Sequence, residues 1–155
     1  MAKSTANGDT FSTEERAAIK ARAAELKSEA KRAGAAQKAA AEQADVLAKI
    51  AQMPEADQKV AKRLHTIVET VAPQLSPKLY YGQPGYAHAG KVVCFFRSGL
   101  MDKSRYSTFG FSVHAELDTP DGFWPTSYAL HDPTEEAWER ISDLIRQATH
   151  GLGGH

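Results

Sequence analysis

Three carboxylates near the end of the sequence are spaced to share one side of a helix. Glu135, Glu139 and Asp143 follow one another at intervals of four residues, and side chains at that interval are neighbours on a helix surface. Hard cations favour carboxylate oxygens, so the three predict a metal site that water would complete. The alternative is that acids simply favour the first turns and the exposed side of a helix, where they complement its dipole.

A second set of candidate residues is aromatic or cationic and lies near the ends of predicted strands. Aromatic rings can stack on planar ligands, and a neighbouring Lys or Arg can pair with an anion. These residues therefore predict a surface for a peptide, an anionic small molecule or nucleic-acid bases, unless they mediate self-association or fill the core. The candidate ligand-binding residues are Tyr81, Tyr86, Lys91, Arg105, Tyr106 and Trp124.

The sequence contains no recognised catalytic motif. It has no Gly-x-Ser-x-Gly turn, no glycine-rich phosphate loop and no His-x-x-x-His pair among its six histidines. Cys94 lies in the apolar run Val92–Phe96, where a buried thiol has a raised pKa and reacts poorly. We predict that the protein is not an enzyme.

The composition is that of an ordinary globular protein. The 155 residues carry 19 basic and 19 acidic side chains, and this zero net charge argues against a general nucleic-acid binder. One cysteine cannot form an intramolecular disulfide. Neither a membrane-spanning stretch nor the apolar core of a secretory signal is evident, so we expect a cytoplasmic protein with no membrane partner.

The first 44 residues are predicted to form a helical extension. Residues 12–15 are a capping box that starts a helix of about residues 13–33, which has only two large apolar side chains on its inward side. Residues 33–44 are rich in alanine and predict a low-complexity linker, which can be helical but has no apolar side to bury. We therefore expect this helix to dock weakly or not at all, and we expect a disordered tail over residues 151–155.

Residues 45–150 are predicted to form an α+β domain. A 3.6-residue apolar period predicts a helix over about residues 56–72, and residues 132–135, with Asp132 as the N-cap, start a second helix. Two such helices flanking antiparallel strands predict a two-layer sandwich in which both helices cover one face of the sheet and leave the other open. The predicted strands are about residues 78–81, 85–88, 91–96, 106–111 and 126–130.

Four stretches of the predicted sheet carry a family resemblance. They are Tyr81-Gly82-Gln83-Pro84-Gly85-Tyr86, Gly90-Lys91-Val92-Val93-Cys94-Phe95-Phe96, Arg105-Tyr106-Ser107-Thr108-Phe109-Gly110-Phe111 and Trp124-Pro125-Thr126-Ser127-Tyr128-Ala129-Leu130. In order and spacing they resemble the YdhG-like family, a bacterial domain of unknown function, over about residues 45–150. The resemblance implies a frataxin-like fold, similar to the CyaY/YjbR group, in which one relative is proposed to be an iron chaperone.

The resemblance implies that the protein binds iron and delivers it to an acceptor protein. Frataxin-like proteins are expected to hold iron on carboxylates of the first helix, whereas here that helix carries Lys59, Lys62 and Arg63, which would repel a cation. The carboxylates that begin at Glu135 are therefore the better candidates.

The second hypothesis is a protein-interaction or small-molecule-binding module that uses the open aromatic face beside Lys91 or Arg105. Under either hypothesis we expect a monomer or a weak homodimer.

Overall fold

The computed structural model describes residues 11–153. They divide into two compact units, the first ending at Lys38 and the second beginning at Ala39. The division falls earlier in the chain than the boundary predicted at residue 44.

Helix α1, Thr13–Ala51, is 39 residues long. The predicted linker over residues 33–44 is therefore helical, because alanine has the highest helix propensity and one glycine costs only about 1 kcal/mol in a helix. The predicted capping box is present: the Glu15 N–H donates to Ser12 Oγ at 3.1 Å, and the Ser12 N–H donates to the Glu15 carboxylate at 2.8 Å.

Burial along α1 is confined to its last turns. Residues 11–41 are all exposed, including Ile19 and Leu26. Val46 and Ile50 are buried and belong to the hydrophobic core of the second unit. The first unit buries none of its described side chains.

Helices α2, Glu55–Val71, and α3, Glu135–Thr149, form where the sequence predicts them. The start of α3 differs in detail, because Thr134 is the N-cap and its Oγ1 accepts a hydrogen bond from the Ala137 N–H at 3.2 Å. Asp132, the predicted cap, has a left-handed backbone with φ of 48°. Its carboxylate is therefore not used to cap the helix.

One open antiparallel sheet connects α2 to α3. Each strand pairs with its neighbours in the chain, so the spatial order is β1-β2-β3-β4-β5. The α+β class predicted from the sequence is therefore confirmed. The strands are β1, Ser76–Tyr80; β2, Gln83–His88; β3, Lys91–Arg97; β4, Ser107–Phe111; and β5, Ser127–Leu130.

One face of the sheet, which we call the core face, packs into the hydrophobic core. Tyr86, Cys94 and Phe111 lie side by side there as cross-strand partners. The Tyr86 hydroxyl shares a hydrogen bond of 2.9 Å with His65 of α2, which identifies the side on which this helix lies. Buried side chains of α2 and α3 belong to the same core cluster, among them Leu64, Val68, Trp138, Ile141 and Ile145.

The opposite side, which we call the open face, carries the residues one position along each strand. Gly85, Phe95 and Gly110 are cross-strand partners there. The Phe95 ring lies over Gly110, where an added Cβ would come within 2.3 Å of it. Tyr80 packs against Phe95 with ring centres 5.0 Å apart, and both rings are half-buried. The glycines therefore make room for an aromatic pair.

The end of the described chain contacts the second unit. Leu152 is half-buried against the core, and His88 Nε2 lies 3.1 Å from the Gly153 carbonyl oxygen. Within the predicted disordered tail, Leu152 therefore has an apolar surface to cover, and the disorder of the tail stays a prediction. Residues 154 and 155 lie outside the described part of the chain.

Candidate functional site

Two of the predicted ligand-binding residues belong to the core. Tyr86 is only 1% exposed, and its burial raises the pKa of the phenol. Trp124 is half-buried and packs against the core cluster. Tyr86 therefore does not line an open binding face, since strand alternation turns its ring toward α2.

Tyr81 and Lys91 lie on two different turns of the sheet. Tyr81 is 90% exposed after β1, and its ring packs edge-on against Tyr80 with centres 4.6 Å apart. Lys91 is exposed at the start of β3. Neither residue lines the two cavities described next, so the structure does not bring them together with the remaining candidates.

Arg105 and Tyr106 stand together in the loop between β3 and β4. The Arg105 guanidinium carbon lies 5.1 Å from the centre of the Tyr106 ring, a cation–π contact. Both side chains are exposed. Together they line two cavities of different size, which we call the outer cavity and the inner cavity.

The outer cavity, of about 560 Å³, adjoins the open face. Arg97 and Thr108 are cross-strand partners on that face, and both line the cavity. Arg97 Nε donates to the Asp102 carboxylate at 2.5 Å, so its charge is matched within the protein. Arg105, in contrast, has no carboxylate within ion-pair distance in the described part of the chain.

The inner cavity is smaller, at about 120 Å³. Its walls come from the first turn of α2, the β3–β4 loop and the connection between β5 and α3. Leucine side chains supply part of the lining. The polar and aromatic lining residues include Asp57, Arg105, Tyr106, His131 and Asp132.

Asp57 is a buried carboxylate that organises the β3–β4 loop. It is 8% exposed, and its Oδ2 accepts hydrogen bonds from Ser98 Oγ at 2.6 Å and from the Leu100 N–H at 2.9 Å. Ser98 Oγ in turn accepts a hydrogen bond from the Met101 N–H at 3.3 Å. These bonds hold the turn that leads to Arg105, so Asp57 positions the loop that lines both cavities.

Asp57 is not among the site residues that the sequence predicts. It stands in the first turn of a helix, where acidic side chains are common because they complement the helix dipole. The signal that could have identified it is its place on the apolar side of α2, in line with Ala61, Leu64 and Val68. An acid on a buried stripe is uncommon and requires a partner.

The three predicted metal-binding carboxylates are exposed on α3. Arg63 donates to both oxygens of Glu135 at 2.6 Å, and this pairing lowers the pKa of the carboxyl. Arg146 donates to Asp143 at 2.9 Å. Within residues 11–153, no group of three or more His, Cys, Asp and Glu side chains is arranged to hold a metal ion. The metal site, which also includes Glu139, stays a prediction.

Cys94 is fully buried on the core face. Burial raises the pKa of its thiol to about 12. The thiol is therefore protonated at neutral pH, and a protonated thiol is a poor nucleophile. Its surroundings assign it a packing role.

Comparisons with known proteins identify neither a family nor a function for this chain. No family model, no curated protein and no solved structure matches the chain. The YdhG-like and frataxin-like assignments therefore stay predictions from the sequence. Across residues 11–153, none of the helices combines the length and the apolar character that crossing a membrane requires.

Proposed function

We propose that this protein is a non-enzymatic binding module that holds a small anionic molecule in the outer cavity. The observation that carries the proposal is an arginine that has no carboxylate partner within residues 11–153 and lies beside an exposed aromatic ring. Arg105 supplies the charge, and Tyr106 supplies a surface on which a planar group can stack.

Charge and size both favour a small anion. The outer cavity is lined by two arginines and one aspartate, and Asp102 already neutralises Arg97. The positive charge of Arg105 therefore remains for a ligand. A volume of about 560 Å³ lies within the range of about 300–1,000 Å³ that is usual for small-molecule sites.

The open face supplies aromatic surface along β3, beside the strand end that lines the outer cavity. Phe95 lies two positions before Arg97 on the same face of β3, and Tyr80 packs against it. Successive charged and aromatic groups along one face favour a ligand that has both an acidic and a planar part.

Iron binding and delivery, with a frataxin-like arrangement of helices and sheet, is the competing hypothesis. Glu135 and Asp143 already pair with arginines, and a cation bound between them would compete with those pairs. The observed contacts therefore favour the anion at Arg105 over the cation on α3.

The test is an NMR titration of the full chain with benzoate, which has a carboxylate on an aromatic ring. We expect chemical-shift changes at Arg97, Gly99 and Thr108, which line only the outer cavity. Benzyl alcohol, which lacks the charge, should cause none. Arg105→Gln should abolish the benzoate shifts.

Lys103→Gln is the matched control, because it removes one positive charge from the same loop at a side chain that lines neither cavity. Equal loss of the benzoate-induced shift changes in both variants, or no shift change with benzoate at millimolar concentration, would contradict the proposal. A parallel anaerobic titration with ferrous iron, with magnesium as its control, tests the competing hypothesis. Paramagnetic broadening confined to Glu135, Glu139 and Asp143 would favour iron.

A further inference from the structure

The inner cavity is lined by a carboxylate, one oxygen of which has no hydrogen-bond partner among the described residues. Both hydrogen bonds to the Asp57 carboxylate end on Oδ2. Oδ1 accepts no hydrogen bond from the described residues. Because every fully inaccessible side-chain oxygen or nitrogen among them has a hydrogen-bond partner, Oδ1 is partly accessible. Asp57 lines the inner cavity, which is the space beside it that Oδ1 can face. A nearly buried carboxylate oxygen facing a cavity favours a hydrogen-bond donor there.

Charges of both signs surround the same cavity. Asp57 and Asp132 supply negative charge, and Arg105 supplies positive charge. None of these three side chains forms an ion pair with another described residue. A ligand that carries both a positive and a negative group can pair with both kinds of charge. A simple cation would be repelled by Arg105, and a simple anion would be repelled by the two carboxylates.

The volume of the inner cavity restricts the ligand further. At about 120 Å³ it is slightly smaller than the cavity of about 150 Å³ that accepts benzene in another protein. A ligand of about the size of benzene, with six non-hydrogen atoms, is therefore the upper limit. Nucleotides and aromatic acids are too large.

We infer that the inner cavity binds a small amino acid, of the size of glycine or alanine, as its zwitterion. The ammonium group donates to Asp57 Oδ1, with Asp132 adding negative charge, and the carboxylate pairs with Arg105. Apolar contact with Leu100 and Leu130 accommodates no more than a methyl side chain. The inference goes beyond the proposed function, because it concerns a second cavity and a different class of ligand. The two cavities share Ser104, Arg105 and Tyr106, so glycine in one and an anion in the other would compete for Arg105.

The experiment is an NMR titration of the full chain with glycine. We expect shift changes at Asp57, His131 and Asp132, which line the inner cavity and not the outer one. Glycolate lacks the ammonium group and methylamine lacks the carboxylate, so each should bind at least about tenfold more weakly than glycine. These probes act on the unmodified protein, and so they decide the question even if a variant fails to fold.

Asp57→Asn tests the carboxylate itself. An asparagine can keep an oxygen toward Ser98 and Leu100 while it presents an amide N–H to the cavity, where it would repel the ammonium group. Glycine affinity should fall by at least about tenfold. Asp118→Asn, at an exposed loop residue that lines neither cavity, should leave it unchanged.

Three results would overturn the inference: no glycine shifts at millimolar concentration, glycolate or methylamine binding as well as glycine, or equal affinity in Asp57→Asn. Each is distinguishable from failure of the proposed function. Failure of the proposed function would leave the signals of Arg97, Gly99 and Thr108 unchanged by benzoate. Failure of the inference would leave the signals of Asp57 and Asp132 unchanged by glycine.

Discussion

Asp57 and the acidic side of α3 place carboxylates in opposite environments. Asp57 is alone and nearly buried, and it accepts hydrogen bonds from two positions of a loop that lines two cavities. Glu135, Glu139 and Asp143 are exposed to solvent, and Glu135 and Asp143 pair with arginines on helices. Water weakens exposed pairs, whereas burial strengthens a satisfied hydrogen bond and penalises an unsatisfied one. Burial and hydrogen-bond partners therefore separate Asp57 from the carboxylates of α3, and the spacing of acidic residues in the sequence does not show this difference.

The largest effect on the free energy of unfolding is expected when the buried carboxylate of Asp57 is removed. Asp57→Ala leaves the Ser98 hydroxyl and the Leu100 N–H without their acceptor, and losing hydrogen bonds to a charged group should lower the free energy of unfolding by about 3 kcal/mol. Urea denaturation measures this change. Asp118→Ala, at an exposed acid, should stay within about 0.5 kcal/mol of the parent protein. Equal losses in the two variants would show that burial does not distinguish these carboxylates.

A second large effect is expected in the loop that Asp57 anchors. A Cβ added at Gly99 would lie 2.2 Å from the Tyr106 carbonyl oxygen, so the backbone must move. Gly99→Ala should cost about 2 kcal/mol in unfolding free energy and shift the amide signals of residues 104–107. Gly153→Ala, which meets nothing within 4 Å, is the control. An unchanged loop spectrum in Gly99→Ala would mean that the loop is not held tightly.

A smaller effect is expected at the Arg63–Glu135 pair. Arg63 lowers the pKa of Glu135 from its ordinary value of 4.5, so the pair contributes stability above that value and loses it as the pH falls through the lowered pKa. Arg63→Gln should raise the pKa of Glu135 toward 4.5, as measured by carbon-detected NMR titration of the carboxyl. The stability difference between variant and parent should disappear in acid.

Arg63→Gln also tests whether the carboxylates of α3 bind a metal. If α3 binds ferrous iron, Arg63→Gln should strengthen binding because it removes a competing cation from Glu135. Lys62→Gln changes the charge of α2 by the same amount at the neighbouring position and is the control. Equal affinities in the two variants would count against a site that includes Glu135.

The smallest effect is expected from deletion of residues 1–38. The described residues of the first unit bury no side chain, so the unfolding midpoint of the second unit should stay nearly unchanged. Thermal unfolding followed by near-ultraviolet circular dichroism, which reports the aromatic residues of the core, measures it. A clear fall would show that the first unit stabilises the second.

Much of the fold could be predicted because it depends on residues close together in the chain. The apolar periods predicted α2 and α3, alternation and turn residues predicted five strands, and Ser12 with Glu15 predicted the start of α1. Arg105 and Tyr106 were predicted as candidates because they stand at the beginning of a strand. The first helix was predicted to end near residue 33 because low complexity was weighed above the helix propensity of alanine.

The partners of individual side chains were decided by the tertiary structure. Asp57 meets Ser98 across 41 residues, and Arg63 meets Glu135 across 72, so no local pattern contains these pairs. The sequence did not decide between a binding face and the core for Tyr86, because it shows alternation without showing which face the helices cover.

The sequence by itself determined the elements of this protein, since propensity, capping and periodicity act over a few residues. It also placed Arg105 and Tyr106 next to each other. Only the tertiary structure decided that the loop carrying them closes over Asp57, with one carboxylate oxygen bound to the loop and the other able to face a cavity. The reason is physical: burial and long-range hydrogen bonds arise when distant segments pack, and packing depends on the whole domain.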